Sequence, residues 1–366
     1  MPVSHVVLGA GPVGRAVVTA LAARGIEPVV VTRSGTAVTG AVSRAADVAD
    51  PAQAAAAVAG ADVIFQCASP AYHRWPEQFP ALQAAAIAAA AAAGALLVAA
   101  ENLYGYGPAA GPLTEDLPLA ATTRKGAVRA QMWRDLLAAH QAGRLPVVAG
   151  RASDFFGPGV GAGSVVGDRF FQALAGGRPA AVLGDPDRLH TYTYVADFGE
   201  ALVRLSCAPR TWGRAWHVPS APAVSTRALA RQAAEMAGTR ARLRRLRPWQ
   251  LRAAGLLVPA ARETAELQYE FEQDWVVDDS AYAAVLGHHA TPLEQALAVT
   301  LGLPVLAAPR RARPDGGGRS AHAGRSAHAD PGGHADPGGH AGPGGHAGPS
   351  GAAGPDSAHG AVRGPA

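Results

Sequence analysis

Val6-Val7-Leu8-Gly9-Ala10-Gly11-Pro12-Val13-Gly14 is the stretch on which the reading of this chain turns. A strand-like apolar run, His5–Leu8, enters a glycine turn and then a helical pattern that puts Val17, Val18 and Leu21 on one face. The spacing GxGxxG carries little weight alone, but between a strand and a helix it describes a phosphate-binding turn. Gly9 permits the tight turn, Gly11 lets the backbone approach a pyrophosphate, and Gly14 lets the helix pack close to the strand. The helix that starts at Pro12 and Val13 then offers free N–H groups and the positive end of its dipole to the anion. A dinucleotide is the expected ligand.

Outward from that turn, apolar runs alternate with alanine-rich helical stretches. Strands are expected at Pro28–Thr32, Val63–Gln66, Leu96–Ala100 and Pro146–Arg151, and helices at Val13–Arg24, Ala52–Ala59, Phe79–Ala93 and Lys125–Gln141. Such alternation implies an α/β fold, a doubly wound parallel sheet covered on both faces. The second strand ends at Arg33-Ser34, and neither Asp nor Glu occurs from Pro28 to Val42. NAD sites usually place a carboxylate there for the ribose hydroxyls, whereas an arginine accommodates a 2′-phosphate, so NADP is favoured with NAD as the alternative. Asp47-Val48 is expected near the adenine, and Cys67, Ala68 and Ser69 close the strand Val63–Gln66 at the cofactor crevice.

Composition narrows the function classes. The 366 residues carry a net charge of +4, from 32 basic and 28 acidic residues, which argues against a dedicated nucleic-acid binder. Two cysteines, Cys67 and Cys207, supply neither a disulfide framework nor a zinc motif, so a reduced cytoplasm is the expected compartment. His217, His288 and His289 show no ligand spacing, and no metal site is expected. Ala84–Ala100 is free of charge, but it is mostly alanine and Gly94 divides it. It reads as a buried helix followed by a strand, not as a membrane span. Only one of the 32 basic residues is lysine, Lys125. A lysine that survives such an arginine bias points to chemistry for which a guanidinium is unsuited.

Later stretches differ. From about residue 306 the chain turns to Pro, Gly, Ala and Arg and then to six-residue repeats of the form His-Ala-Asp-Pro-Gly-Gly, a tail with too few large apolar side chains to order. The expected organisation is a dinucleotide-binding domain over 1–160, rejoined by about 188–206, with a smaller substrate lobe over 161–187 and 207–305. Arg240, Arg242, Arg244, Arg245, Arg247 and Arg252 form the densest basic cluster, read as a solvated face paired with the acidic segment Glu263–Asp279.

Several of these pieces together resemble the extended short-chain dehydrogenase/reductase superfamily, specifically its NAD-dependent epimerase/dehydratase type. They are the glycine turn, Asp47-Val48, Tyr106-Gly107-Pro108, Leu113-Thr114-Glu115-Asp116 with Pro118, Arg151 with Phe156-Gly157-Pro158-Gly159, and Tyr194-Val195-Ala196-Asp197 before a helix. The resemblance implies a Rossmann-type sheet, hydride chemistry at a nicotinamide, a Tyr-x-x-x-Lys pair with an upstream Ser or Thr, and a possible homodimer. Lys125 falls where the family lysine belongs, holding the nicotinamide ribose. Ala121 stands four positions before it in place of tyrosine, and the upstream serine position falls near Asn102.

A general acid/base must still reach the reacting oxygen. Tyr104 is the first candidate, with Asn102 as an oxygen-polarising group and Lys125 as an alternative donor; Tyr106 reads as packing. Asp154 and Tyr192 are candidate substrate residues, Asp154 with an equally open loop-capping role. The expected activity is an NADP-dependent, reductase-like oxidoreduction of a small carbonyl or sugar-like substrate. The alternative is a non-catalytic NADP(H) sensor of the same fold.

Overall fold

The computed structural model describes residues 3–161, 164–247, 249, 250, 266 and 268–305. The expected tail and Arg252 lie outside the described residues. In chain order the first half contains β1 (His5–Leu8), α1 (Pro12–Ala22), β2 (Val29–Thr32), β3 (Val42–Ala45), α2 (Pro51–Val58), β4 (Val63–Gln66), α3 (Trp75–Ala93), β5 (Leu96–Asn102), α4 (Arg124–Gln141), β6 (Val147–Ala152) and β7 (Phe155–Phe156). The second half contains α5 (Asp168–Ala175), β8 (Ala180–Leu183), β9 (Leu189–His190), β10 (Thr193–Tyr194), α6 (Val195–Ser206), β11 (Ala215–His217), β12 (Val224–Ser225), α7 (Thr226–Met236), β13 (Leu243–Leu246), α8 (Ser280–Leu286) and α9 (Leu293–Thr300).

Seven strands form one sheet in the order β11-β6-β5-β4-β1-β2-β3, every pair parallel. Strand β1 is buried at all four positions, as a strand covered on both faces must be. One face packs on α2, α3 and α4 through Ile64, Phe79, Ala86, Leu97, Met132 and Leu136. The other packs on α1 and α6 through Val7, Val17, Leu21, Phe65, Val98 and Leu202. The Rossmann-type reading of the sequence therefore holds.

The alanine-rich run is α3, with Phe79, Leu82, Ala85, Ala86, Ile87, Ala89 and Ala90 buried against the sheet. It ends at Gly94, which adopts φ 66° and donates its N–H to the carbonyls of Ala90 and Ala91. No helix among the described residues is long and apolar enough to cross a membrane. Strands β3 and β11 have no counterpart in the sequence reading. The first is exposed at all four positions, and the second is three residues long.

Beyond β6, helices α5, α7 and α9 build a smaller core around Phe170, Phe171, Leu174, Leu229 and Leu297. Segment 268–278 leaves this region and docks along β9: the Trp275 N–H donates to the Leu189 carbonyl at 2.8 Å, and the Thr191 N–H to the Trp275 carbonyl at 2.9 Å. The Val277 N–H donates to Thr191 Oγ1 at 3.0 Å. Phe271 stacks on His190 at 4.7 Å between ring centroids, with the rings 5° from parallel. That docking carries a stretch of acidic chain to the C-terminal edge of the sheet, where the cavity lies.

Candidate active site

A cavity of ≈ 820 Å³ runs along the C-terminal ends of the strands, from the glycine turn to segment 268–275. Its position follows from topology, because β1 and β4 lead their crossovers in opposite directions and open a crevice between them. At one end it is lined by Gly9, Gly11, Pro12, Val13, Arg33, Asp47, Val48, Cys67, Ala68 and Ser69. All the sequence-expected cofactor residues except Gly14 and Lys125 thus line one surface.

This end suits a dinucleotide on its own geometry. Gly9 sits at φ 97°, and a Cβ there would fall 2.7 Å from the Ala68 Cα. A Cβ on Gly14 would fall 2.0 Å from the Gly9 carbonyl oxygen, so Gly14 shapes the turn from behind. At Gly11 a Cβ would meet nothing within 4 Å. Gly11 therefore leaves open space where a ligand approaches. It is also the N-cap of α1, with no side chain bonding the first-turn N–H groups. Those donors are left for an anion. Arg33 follows β2 at the surface of the cavity, and Asp47 is occupied in accepting the Ala49 N–H at 3.0 Å. Burial pushes the Cys67 thiol up to about 12, so it lines the cavity as an uncharged group rather than as a nucleophile.

The other end gathers Tyr72, Asn102, Tyr104, Arg129, Ser153, Asp154, Glu270 and Trp275. Tyr104 stands in a 3-10 turn, Tyr104–Tyr106, just after β5, where its N–H donates to Asn102 Oδ1 at 3.3 Å. Asn102 therefore fixes the turn that presents the phenol. Tyr72 comes from a second 3-10 turn, Tyr72–Arg74, after β4. The two phenols interact through their side chains, and burial raises both well above the ordinary tyrosine value. Both are acids that keep their protons at neutral pH. Trp75 packs edge-on against Tyr72 at 4.8 Å and beside Tyr104 at 6.0 Å, which restricts both rings.

Lys125, expected at the cofactor, is not among the residues that line the cavity. It lies in the first turn of α4 with no exposure, its Nζ 3.2 Å from Glu266 Oε2 and 4.6 Å from the centre of the Tyr72 ring. Residue 121 is alanine, so no phenol comes from that position. The Lys125 ammonium lies over the ring of Tyr72, which does line the cavity. One turn further along α4, Arg129 lines the cavity instead. Its Nη2 donates to the Ala100 carbonyl at 3.0 Å, and its guanidinium lies 5.2 Å from the Phe79 ring centre. Burial lowers its pKa from the usual arginine value.

Tyr192 also differs from expectation. Its hydroxyl pairs with Thr226 Oγ1 at 2.7 Å inside the small-lobe core, and it does not line the cavity. A buried phenol needs such a partner, and Thr226 at the start of α7 supplies it. Asp154 does line the cavity, with Oδ2 2.9 Å from His190 Nε2. Tyr106 is structural: its hydroxyl accepts from Arg151 Nη1 at 2.7 Å and lies 2.8 Å from His217 Nε2.

Five residues of this end went unnoticed in the sequence: Tyr72, Arg129, Ser153, Glu270 and Trp275. Tyr72 lies in a loop of no recognised motif, and Arg129 is one arginine among many. Glu270 reads there as part of a solvated acidic face. That description fits Glu272, which pairs with Arg245 at 3.0 Å, but Glu270 is 1% exposed. The signal was its setting, a carboxylate between Tyr269 and Phe271 in Gln268-Tyr269-Glu270-Phe271. No cluster of metal-ligating residues occurs among the described residues.

No curated protein matches the chain. Among solved structures, the chain is similar to MoeE5 in complex with UDP-glucuronic acid and NAD, with a TM-score of 0.67 at 24% identity, covering 82% of this chain and 98% of that one. It is also similar to UDP-glucuronic acid 4-epimerase from Bacillus cereus in complex with NAD, with a TM-score of 0.66 at 14% identity, covering 82% and 97%. A third is the dTDP-glucose 4,6-dehydratase DesIV double mutant from Streptomyces venezuelae, with a TM-score of 0.65 at 18% identity, covering 81% and 95%. These likenesses establish the fold. The family model for the NAD dependent epimerase/dehydratase family matches residues 5–217, more than half of the sequence. The chain belongs to the NAD-dependent epimerase/dehydratase family.

Proposed function

We propose that the chain binds NADP in this cavity and catalyses a reductase-like oxidoreduction of a small carbonyl or sugar-like substrate, with Tyr104 as the proton donor. The observation that carries this reading is the continuity of the cavity, which joins the glycine turn to the phenols of Tyr72 and Tyr104. The nicotinamide, when bound, supplies the redox equivalent; the residues of the chain supply binding, orientation and the proton.

Gly9, Gly11 and the first turn of α1 hold the pyrophosphate, and Arg33 answers a 2′-phosphate where no carboxylate competes for the ribose. The related structures carry NAD in their names; the end of β2 here favours the phosphorylated coenzyme. Reduction of a carbonyl builds negative charge on its oxygen, and an alkoxide is far more basic than a phenolate. A tyrosine kept protonated by burial is therefore suited to donation. Tyr72 lies beside Tyr104 and is the natural group to orient it, while Lys125 holds Tyr72 from behind. Lys125 is thus a positioning residue. Arg129 stands at the same end as a fixed cation.

The same fold used as a sensor would bind coenzyme without turnover. The absence of tyrosine at 121 favours that reading, and the rebuilt pair of phenols favours catalysis. Purified protein with NADPH and a panel of aldehydes, ketones and sugar nucleotides decides between them. Coenzyme oxidation that Tyr104→Phe abolishes supports the enzyme. Binding with no oxidation on any member of the panel supports the sensor.

A further inference from the structure

The carboxylates that the sequence sets against the arginines of 240–247 are largely occupied elsewhere in the folded chain. Glu266 pairs with Lys125, and Glu270 lines the cavity. Asp274 accepts the Leu189 N–H and Asp279 the Ser220 N–H, each at 3.0 Å, and Asp278 accepts the Ser280 N–H at 2.8 Å. Among these described carboxylates Glu272 pairs with the basic cluster, 3.0 Å from Arg245. Arg240, Arg242, Arg244 and Arg247 are exposed and have no carboxylate at ion-pair distance among the described residues. The expected pairing of this cluster therefore holds at Arg245 and not at these four. Strand β13 carries Arg244 and Arg245, and the Ala180 N–H donates to the Arg242 carbonyl at 2.8 Å, so the ladder with β8 takes in Arg242 as well. Side chains two apart on an extended chain point the same way, which sets Arg242 and Arg244 about 6.6 Å apart. Across the ladder Arg244 is paired with Ala181, which is exposed and too small to cover it. Just past the strand, the Gln250 N–H donates to the Arg247 carbonyl at 2.9 Å and closes a turn. That turn contains Trp249, at 62% exposure the most exposed large apolar side chain among the described residues.

We propose that the arginines of β13 and its flanks, with Trp249 at one end, form a surface that binds single-stranded nucleic acid. None of these residues lines the coenzyme cavity, so the surface is separate from the site described above. The balance of charge over the whole chain argues against a protein built around nucleic acid, but not against a local surface of this kind. Guanidinium groups in a row, free of carboxylates, match the successive phosphates of an extended strand, and each phosphate contact releases condensed counterions. An indole left in water supplies the other half of the chemistry, because unpaired bases stack on it whatever their sequence. A duplex keeps its base faces inside the helix and gives Trp249 nothing to stack on. An acidic protein surface answers the cations but has no such use for the indole. An anionic bilayer presents a plane, whereas the cations here follow one strand and the turn after it.

The experiment is fluorescence anisotropy of a labelled oligothymidylate titrated with the full chain, from about 50 to about 200 mM salt. About four phosphate contacts, one for each arginine free of a carboxylate, predict that log K falls with log salt at a slope of about −2.8, a loss of about 50-fold over that interval. Arg242→Gln combined with Arg244→Gln should make the slope shallower by about 1.4. Trp249→Ala should weaken binding about fivefold or more, the scale of one stacked base. Both variants change exposed side chains, and unchanged thermal midpoints verify their folds. Saturating NADPH should leave the oligonucleotide affinity unchanged. Failure to bind at the lowest salt overturns the surface, and co-sedimentation of that same protein with phosphatidylglycerol vesicles would assign the arginines to a membrane instead. Binding that both variants retain in full, as Arg310, Arg311 and Arg313 of the tail would give, overturns it too. So does displacement of the oligonucleotide by NADPH, which places it in the cavity.

Discussion

Replacing Gly11 by alanine separates ligand binding from folding at the glycine turn. The structure gives Gly11 φ −69°, ψ −177°, a conformation that alanine adopts freely, and the added Cβ meets no protein atom within 4 Å. Alanine is the weaker N-cap, by up to about 1 kcal/mol. Its stiffer unfolded chain returns about 0.4–1 kcal/mol. The two nearly cancel, so Tm should move by no more than about 3 °C in a chain of this size. Coenzyme binding is another matter. The methyl group points into the space a pyrophosphate would use and separates it from the first-turn N–H groups of α1. Loss of one or two charge-assisted hydrogen bonds, at about 1.5–3 kcal/mol each, weakens binding by about 10- to 10,000-fold. Gly14→Ala provides the contrast, because its Cβ would fall 2.0 Å from the Gly9 carbonyl oxygen and the turn itself must break. Its loss of binding should come with a large loss of stability. Differential scanning fluorimetry paired with NADPH titration reads both quantities. A Gly11→Ala protein that binds NADPH like the wild type refutes the assignment of the turn.

Tyr104→Phe should lower turnover by about 10²–10⁴ while leaving coenzyme affinity unchanged, and Lys125→Ala should lower turnover by a smaller factor through Tyr72; single-turnover kinetics with NADPH reads each. Because burial raises Tyr104 above the ordinary value of about 10, the reductive rate should stay flat from neutral pH to about pH 9; a fall in that interval removes Tyr104 as the donor. Arg33→Ala should weaken NADPH by about tenfold and leave NADH nearly unchanged, a split visible in parallel titrations. Glu270 has a folded pKa above its unfolded value, so its contribution to stability is fully present below about pH 4.5 and is lost as pH rises toward the folded value. Glu270→Gln should therefore match the wild type near pH 4 and become progressively more stable than it from pH 5 upward, by at most about 1.4 kcal/mol per pH unit; equal urea midpoints across that range refute the upward shift of this carboxyl.

The sheet was legible because its determinants are local. Glycines at fixed offsets, four-residue runs of Val, Ile and Leu, and an alanine helix stopped by Gly94 each state their conformation within a few residues. Strand β3 escaped because Val42-Ser43-Arg44-Ala45 is exposed along its whole length and carries no burial pattern. Strand β11 escaped because three residues are too few to show one.

The glycine-turn end of the cavity was legible for the same local reason. The inner end was legible only in part, through Asn102, Tyr104 and Asp154, since it is assembled from five separated segments: Tyr72, Asn102–Tyr104, Arg129, Ser153–Asp154 and Glu270. Lys125 shows the limit clearly. Its rarity marked it, yet rarity says nothing about direction, and in the folded chain it faces Glu266 and the back of Tyr72. Glu270 shows the converse. An acidic stretch reads as solvated until the docking of Trp275 on β9 turns one of its carboxyls inward.

The claim that underlies the rest is that this cavity seats a nicotinamide dinucleotide, and calorimetric titration of the purified chain with NADPH and with NADH tests it most directly. The account predicts saturable binding at about one coenzyme per chain, tighter for NADPH. Folded protein that gives no heat with either nucleotide contradicts it.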